Sequence, residues 1–229
     1  MLAFDTSTEV LSAAVQGGAG ADLVLQHSAP GGAQASTTLI PALQDLLGRA
    51  GLEMRALDAI VFGRGPGSFT GLRTACAVAQ GLGLGAGVPV LGVDTLLAIA
   101  EDARLRDGIE RCVAVLDARM DQVYWACYEH GPKGWLRLGE FMLGSPEDVV
   151  VPAGWSLAGN AARIYGDRLP PAAFCSDAMP AAAALLRLAP SLIAAGGLRP
   201  AAQATPLYIR DKVAQTTAER AMRVAPAAP

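Results

Sequence analysis

Residues 57–93 decide the fold class, and they read LDAIVFGRGPGSFTGLRTACAVAQGLGLGAGVPVLGV. The apolar run Leu57–Gly63 predicts a buried strand, residues from Phe69 to Leu84 predict a helix, and Val88–Val93 predicts a second buried strand. Two buried strands joined by a helix are typical of parallel neighbours in a sheet covered by helices. The sequence therefore predicts an α/β fold.

Further strands and helices are predicted on both sides of this unit. Strands are predicted at residues 1–6, 11–15, 22–26, 112–117, 122–129, 135–143 and 155–159, with an edge element at 205–211. Helices are predicted at Ser36–Ala50, with Ser36 as N-cap, and at Ala181–Ala195. Placing LAFDTSTEVLSAAV over AVLDARMDQVYWAC aligns Asp5 with Asp117 at an offset of 112 residues. This indicates a degenerate duplication, and the alternative is that two buried strands each end in Asp by chance.

Composition limits the classes of function. The 229 residues include 18 Lys and Arg and 21 Asp and Glu, which gives a net charge of −3. A surface that tracks phosphates requires a concentrated excess of Lys and Arg, so nucleic acid is expected to bind only through a partner. Hydrophobic residues make up 52% of the chain and charged residues 17%, which is enough apolar material for a core and an interface.

Metal and membrane sites are not expected. His27 and His130 are the two histidines, neither has a histidine four residues away, and the four cysteines form no CxxC pair. Residues 74–93 carry no charge over the length of a membrane span, but their many glycines and Pro89 favour a helix, a turn and a strand. No charged segment precedes an apolar one at the start, so a cytoplasmic protein with reduced thiols is expected.

The glycine-rich segment GRGPGSFTGLR, residues 63–73, opens directly into the predicted helix. Backbone N–H groups at a helix N-terminus attract anions, which makes an anion or nucleotide site at Gly65, Gly67, Ser68 and Thr70 one interpretation. The segment is not a Walker loop, because no Lys follows in the required order. The other interpretation is structural: the glycines allow close packing, and Ser68 is the N-cap of the helix.

Two aspartates follow the predicted first strands of the two repeats. Asp5, with Thr6 and Ser7, and Asp117, with Arg119, can face each other across a cleft and hold a nucleotide tail with hydrated Mg²⁺. A hairpin that wraps a phosphate usually needs a glycine after the Asp, and neither hairpin has one there. The alternative is that both aspartates hold their turns by side-chain to backbone hydrogen bonds.

Four segments carry a resemblance to a known family: FDTST at 4–8, GRGPGSFTGLRTACAVAQGL at 63–82, GVPVLGVDTL at 87–96 and LDARMDQVYWACY at 116–128. Together with PLYIRDKVA at 206–214 they resemble the bacterial TsaB (YeaZ-type) family. The resemblance implies an actin-like fold of the sugar kinase, heat-shock-70 and actin type. Its two duplicated ribonuclease-H-like halves are expected at residues 1–100 and 101–210, with a partly disordered tail at 211–229.

The resemblance also implies a non-catalytic subunit. The catalytic paralogue, TsaD, carries a metal-binding HxxxH and threonylcarbamoylates adenosine 37 of tRNAs that read codons beginning with A. The corresponding helix here, ASTTLIPALQDLL, has no histidine. The chain alone is expected to bind no metal or cofactor, with ATP and Mg²⁺ an option only in the complex. The alternative is a nucleotide hydrolase or phosphotransferase of the same fold.

The expected partners follow from the same resemblance. A TsaD-type paralogue binds the N-terminal half, a TsaE-type ATPase joins the pair, and a second copy of the chain can replace a missing partner. Small residues every four positions favour close helix approach. The predicted contact residues are Leu39, Leu43, Leu46, Leu72, Ala75, Ala79 and Gly83. Basic residues near the C-terminus can touch tRNA once the partner positions it, namely Arg210, Lys212, Arg220 and Arg223.

Overall fold

The computed structural model describes residues 1–17 and 23–210 of the chain. The predicted tail at 211–229, with Lys212, Arg220 and Arg223, lies outside the described residues. The strands are β1 Leu2–Asp5, β2 Val10–Gln16, β3 Val24–Pro30, β4 Ile60–Gly65, β5 Val90–Asp94, β6 Arg111–Arg119, β7 Gln122–Gly131, β8 Gly134–Gly144, β9 Ser156–Ala158 and β10 Cys175–Ser176. The α-helices are α1 Ala35–Ala50, α2 Phe69–Ala86, α3 Thr95–Asp107, α4 Ala161–Tyr165 and α5 Ala182–Ala194.

Two five-stranded sheets share one topology. The first has the order β3-β2-β1-β4-β5 and the second has the order β8-β7-β6-β9-β10. In each sheet a three-stranded antiparallel meander is extended by two parallel strands, as in the pairs Leu2↔Ile60 and Cys112↔Ser156. The same order in both sheets confirms the predicted α/β class and the duplicated architecture.

Strand alternation decides which helices cover the first sheet. Leu2 and Phe4 of β1 belong to the core beneath α1 and α2, whereas Ala3 belongs to the core on the opposite face with Leu185 of α5. Leu2, Ala3, Phe4 and Leu185 are fully buried. The first sheet is therefore covered by helices on both faces, as expected for parallel strands.

Helix α3 connects the two halves and was not predicted from the sequence. Ala98 packs in the core shared by the first sheet and α5, while Leu96 and Ile99 pack in the core of the second sheet. A helix buried on several sides shows no single apolar stripe, so its sequence lacks the helical period that identified α1 and α2. Helix α5, although late in the chain, also packs against β1 and β2 of the first sheet.

Local details differ from the sequence expectations at two places. α1 begins at Ala35, with Gln34 in the N-cap position, so Ser36 lies inside the first turn and its hydroxyl donates to the Ala33 carbonyl at 3.3 Å. Residues 205–210 form no strand, and Leu207 N–H instead donates to the Arg64 carbonyl at 2.7 Å.

The uncharged stretch 74–93 is divided between α2 and β5, with left-handed Gly87 ending the helix. In the described part of the chain no helix has the length and hydropathy of a membrane span.

Candidate functional site

The glycine-rich segment packs directly on the hairpin that joins β1 and β2. Ser68 N–H donates to the Ser7 carbonyl at 2.7 Å, and the Thr6 hydroxyl donates to the Gly71 carbonyl at 2.7 Å. Ser68 is the N-cap of α2, because its Oγ accepts a hydrogen bond from Gly71 N–H at 3.2 Å. Ser68 therefore has the capping role of the structural interpretation.

Three glycines allow this close packing because a side chain would collide with the hairpin. A Cβ at Gly63 would lie 1.7 Å from Asp5 Oδ2, and one at Gly71 would lie 1.8 Å from the Thr6 carbonyl oxygen. A Cβ at Gly67 would lie 2.6 Å from Ser7 Cβ. Real Cβ atoms do not approach other atoms this closely, so the segment is a structural junction between the sheet and α2.

Asp5 lies inside this junction and is fully buried. Its Oδ1 accepts hydrogen bonds from Ser7 N–H at 2.7 Å and from the Ser7 hydroxyl at 2.6 Å, while its Oδ2 is buried and has no hydrogen-bond partner among the described residues. Burial raises the pKa of the Asp5 carboxyl to about 6, and the two bonds from Ser7 oppose that rise. Asp5 therefore holds its turn, as in the alternative interpretation.

Asp117 holds the second hairpin in a comparable way but from another face. Its Oδ1 accepts hydrogen bonds from the Tyr165 hydroxyl at 2.8 Å and from Arg119 N–H at 2.9 Å. Alternation places Asp117 with Val113 and Val115 on the α4 face, whereas Asp5 shares a face with Ala3 against α5. α2 and α4 occupy equivalent positions in the two halves. Asp117 lies on the face of its sheet that α4 covers, whereas Asp5 lies on the face opposite α2, so the two carboxylates point to non-equivalent faces. The joint binding of Mg²⁺ by Asp5 and Asp117 across a cleft stays a prediction, and this difference in face gives it no support.

A small cleft separates the two hairpins. Its volume is about 130 Å³, and its lining brings together five of the predicted anion-site residues, namely Ser7, Gly67, Ser68, Asp117 and Arg119. Asp5, Thr6, Gly65 and Thr70 do not line it. Ligand sites usually have volumes of roughly 300–1,000 Å³, so this cleft is smaller than a usual small-molecule site. Among the described residues, no group of three or more His, Cys, Asp or Glu is placed to hold a metal ion.

The predicted partner-contact residues are not on the surface. Leu39, Leu43, Leu46, Leu72, Ala75, Ala79 and Gly83 are all buried. They form the face of α1 and α2 that packs on the chain's own sheet and termini, and Gly83 lies against Ala201 and Val88. The prediction that these side chains bind a partner is therefore wrong: small residues every four positions show that something packs closely, but not which side of the helix is covered.

Comparisons with known proteins agree with this architecture. The family model described as "TsaD: tRNA N6-adenosine threonylcarbamoyltransferase" matches residues 26–216. The "tRNA threonylcarbamoyladenosine biosynthesis protein TsaB" of Escherichia coli K12 is 33% identical over 228 residues, which cover 93% of this chain and 96% of that protein. The chain belongs to the TsaB family. A Haemophilus influenzae TsaB is 39% identical over 128 residues, 55% of this chain and 52% of that protein.

A solved structure extends the TsaB-family match to three dimensions. The structure of YeaZ from Pseudomonas aeruginosa matches this chain with a TM-score of 0.84 and 39% sequence identity. The match covers 91% of this chain and 98% of the Pseudomonas chain. The resemblance identified from the sequence is thus confirmed. The fold of this TsaB-family chain is the actin-like α/β fold that the resemblance implied.

The exposed face of α2 in this TsaB-family chain is displaced by two residues from the predicted one. Arg73, Ala77, Gly81 and Gly85 are exposed and follow each other at intervals of four. A Cβ at Gly81 or Gly85 would meet nothing within 4 Å, so the chain's own packing does not require glycine at either position. We call these four residues the α2 stripe. The sequence contained this period too, but a period does not show which stripe faces the sheet.

Proposed function

We propose that this chain is a non-catalytic subunit in the biosynthesis of tRNA threonylcarbamoyladenosine, which binds and orders a TsaD-type catalytic paralogue. Membership of the TsaB family and the names of its relatives support this pathway. In this proposal the paralogue modifies adenosine 37 of tRNAs that read codons beginning with A. The observation that carries the non-catalytic role is the packing of Gly67 and Ser68 onto Ser7.

That packing fills the place where an actin-like enzyme would need free backbone donors for a phosphate. Ser68 N–H donates to the Ser7 carbonyl, the Thr6 hydroxyl donates to the Gly71 carbonyl, and Asp5 is buried. A nucleophile or metal-bound phosphate would need solvent-accessible space at this hairpin, and the cleft beside it measures about 130 Å³. A nucleotide with Mg²⁺ is proposed only for the assembled complex.

The α2 stripe is the proposed partner surface, together with exposed residues of α1. Glycine inside a helix lowers helix stability by roughly 0.5–1 kcal/mol relative to alanine. Gly81 and Gly85 therefore destabilise α2, and no packing contact within the isolated chain offsets this loss. Small side chains allow a second helix to approach closely. Ile40 on α1 and Leu84 on α2 are large apolar side chains, 42% and 64% exposed, that such a partner would cover.

The remaining partners are part of the same proposal. A TsaE-type ATPase joins the pair in the cytoplasm, tRNA is bound only through the complex, and two copies of this chain pair through the α2 stripe when the paralogue is missing. The net charge of −3 supports the absence of independent tRNA binding. In a titration with tRNA, submicromolar and salt-sensitive binding by the isolated chain would contradict this part.

The partner surface is tested with two matched substitutions. Ala77→Arg places a charge in the α2 stripe, and Ala194→Arg places the same charge at an exposed position of α5, on the opposite face of the first sheet. Affinity for the purified TsaD-type paralogue should fall at least about tenfold for Ala77→Arg and remain unchanged for Ala194→Arg, because the charge would be buried without a partner. Both variants should melt like the wild type.

Two results would contradict the proposal. Unchanged binding by Ala77→Arg would place the interface elsewhere. Steady ATP turnover by the purified chain alone would indicate an enzyme rather than a scaffold. Arginine at Ala75 or Ala79 is unsuitable for this test, because both residues are fully buried and the variants would lose the fold.

A further inference from the structure

A second cavity lies at the edge of the first sheet, away from the cleft between the hairpins. Its volume is about 340 Å³, and it shares no lining residue with the cleft. The cavity is bounded by the outer strand β5, the end of β4 and the segment after α5. Its polar lining includes Arg64, Arg199, Gln203 and Thr205, and its apolar lining includes Phe62, Leu91 and Leu192.

The open edge of β5 supplies backbone donors to this cavity. Val90 exchanges two hydrogen bonds of 2.9 Å with Arg199, so the N–H and C=O groups of Val90 point away from β4. Alternate residues of a strand direct these groups to the same edge, so the N–H and C=O of Gly92 also point outward, into the cavity that Gly92 lines. A Cβ at Gly92 would lie 3.0 Å from Arg64 Cδ and 3.3 Å from Phe62 Cζ. A side chain at residue 92 would therefore crowd Arg64 and Phe62, two residues that line the cavity.

Two guanidinium groups are fixed beside this strand edge. Arg64 Nε donates to Asp94 Oδ1 at 2.7 Å, and Arg199 Nη1 donates to the carbonyls of Gly196 and Leu198 at 2.6 and 2.7 Å. A guanidinium carries five N–H donors, so each group is held in place while its other donors have no hydrogen-bond partner among the described residues. Asp94 is shared with Arg137, whose Nη1 lies 3.9 Å from Asp94 Oδ2 and whose Nη2 lies 3.7 Å from Glu140 Oε2.

We propose that this cavity binds a small phosphate ester. Arg64 and Arg199 hold the phosphate, Gly92 N–H donates to it, and the apolar lining contacts the carbon skeleton. Guanidinium groups bind phosphate through paired, charge-assisted hydrogen bonds, and the volume lies within the usual range for small-ligand sites. The proposal uses none of the residues of the partner surface, so it does not depend on the proposed function.

The test is a titration of the ¹⁵N-labelled full-length chain with glycerol 3-phosphate, and with glycerol as the uncharged control. Glycerol 3-phosphate should shift the Gly92 amide resonance saturably, and glycerol should not shift it. Arg199→Gln should weaken the binding at least about tenfold, since it removes a charged donor group. Arg55→Gln, an exposed arginine on the far side of α2, should leave the affinity within about twofold of the wild type.

A second variant tests whether the shape of the cavity matters as well as its charge. Gly92→Val leaves the net charge unchanged but crowds Arg64 and Phe62 at the strand edge, so it should abolish the shift while the melting temperature shows that the chain remains folded. Absence of a saturable shift in the wild type up to about 10 mM ester would overturn the proposal. An equal loss with Arg55→Gln would also overturn it, because the binding would then be unspecific charge attraction. Tighter binding of a short single-stranded RNA without terminal phosphate, abolished by Arg199→Gln, would replace the small ester with an RNA phosphodiester.

Discussion

The two hairpins beside the cleft occupy the same place in their sheets but are stabilised differently. The β1–β2 hairpin is buried and is held by backbone contacts to glycines, above all Gly67 and Gly71. The β6–β7 hairpin is exposed at its turn, where Arg119, Met120 and Asp121 have φ values of 61, 56 and 64°. The long side chains of Arg168 and Arg210 contact the residues of this second turn.

This difference shows that duplication preserved the topology without preserving a site. The tight turn of the second hairpin has the left-handed backbone that normally favours Asn or Gly, yet non-glycine residues occupy it. Its two-residue loop is bracketed by Arg210 and by Arg168, which forms ion pairs with Asp121 and Glu147. The first hairpin depends on the absence of side chains and the second on their presence. The two should therefore fail under different substitutions.

The largest effect is expected at the junction of the first hairpin. Gly71→Ala places a Cβ 1.8 Å from the Thr6 carbonyl oxygen, which neither the helix nor the hairpin can avoid without moving backbone. We expect the free energy of unfolding to fall by about 3 kcal/mol or more, at the upper end of overpacking effects. Urea unfolding followed by circular dichroism measures the loss.

Gly81→Ala is the matched control in the same helix. Its Cβ would meet nothing within 4 Å, so the gain in helix propensity should raise the free energy of unfolding by roughly 0.5–1 kcal/mol. If Gly71→Ala were as stable as the wild type, the glycine segment would not be a packing junction. Gly67→Ala should also destabilise, through contact with Ser7 rather than through a left-handed backbone, which Gly65 has and Gly67 does not.

The second-largest change in stability is expected from the titration of Asp5, the carboxyl buried in the first hairpin. The raised pKa of Asp5, from 3.8 to about 6, means that the folded chain holds this proton more tightly than the unfolded chain does. The contribution of Asp5 to the stability of the wild type should therefore fall as the pH rises from about 4 to about 6 and stay level above that. Asp5→Asn removes the titration, so its stability relative to the wild type should rise by roughly 3 kcal/mol over this window.

Unfolding midpoints in urea at pH 4, 5, 6 and 7 test this expectation. Parallel curves for the wild type and Asp5→Asn would show that Asp5 is not buried in the folded chain.

The sequence predicted most of the fold and little of the site, for physical reasons. Strands and amphipathic helices have a period that the sequence shows directly, so α1 and α2 were predicted within a few residues. α3 was missed because its buried surroundings hide that period. The stripe of small residues predicted as exposed is the buried one, since Ala75 and Ala77 are equally small and only the packed sheet distinguishes them.

A smaller effect is expected when the second hairpin loses its clamp. Arg210 Nη2 donates to the Ala118 carbonyl at 3.0 Å and to Gln122 Oε1 at 2.8 Å, on both sides of the turn. Arg210→Met should lower the free energy of unfolding by about 1–2 kcal/mol and speed hydrogen exchange at residues 119–122. Arg111→Met, at an exposed arginine of β6, is the control and should change neither. Unchanged exchange in Arg210→Met would show that the turn holds its left-handed backbone without the clamp.

The smallest effect is expected where the two halves touch across the mouth of the cleft. Arg163 of α4 lies 3.4 Å from Glu9 of the first hairpin, and their side chains are 57% and 45% exposed. Exposed ion pairs of this kind contribute about 0.5 kcal/mol or less and weaken with salt. A double-mutant cycle with Glu9→Gln and Arg163→Gln should give a coupling energy of that size, and it should shrink toward zero in about 1 M salt. A coupling above roughly 1.5 kcal/mol would contradict this expectation, because the first hairpin would then be fixed to α4 by more than an ordinary exposed ion pair.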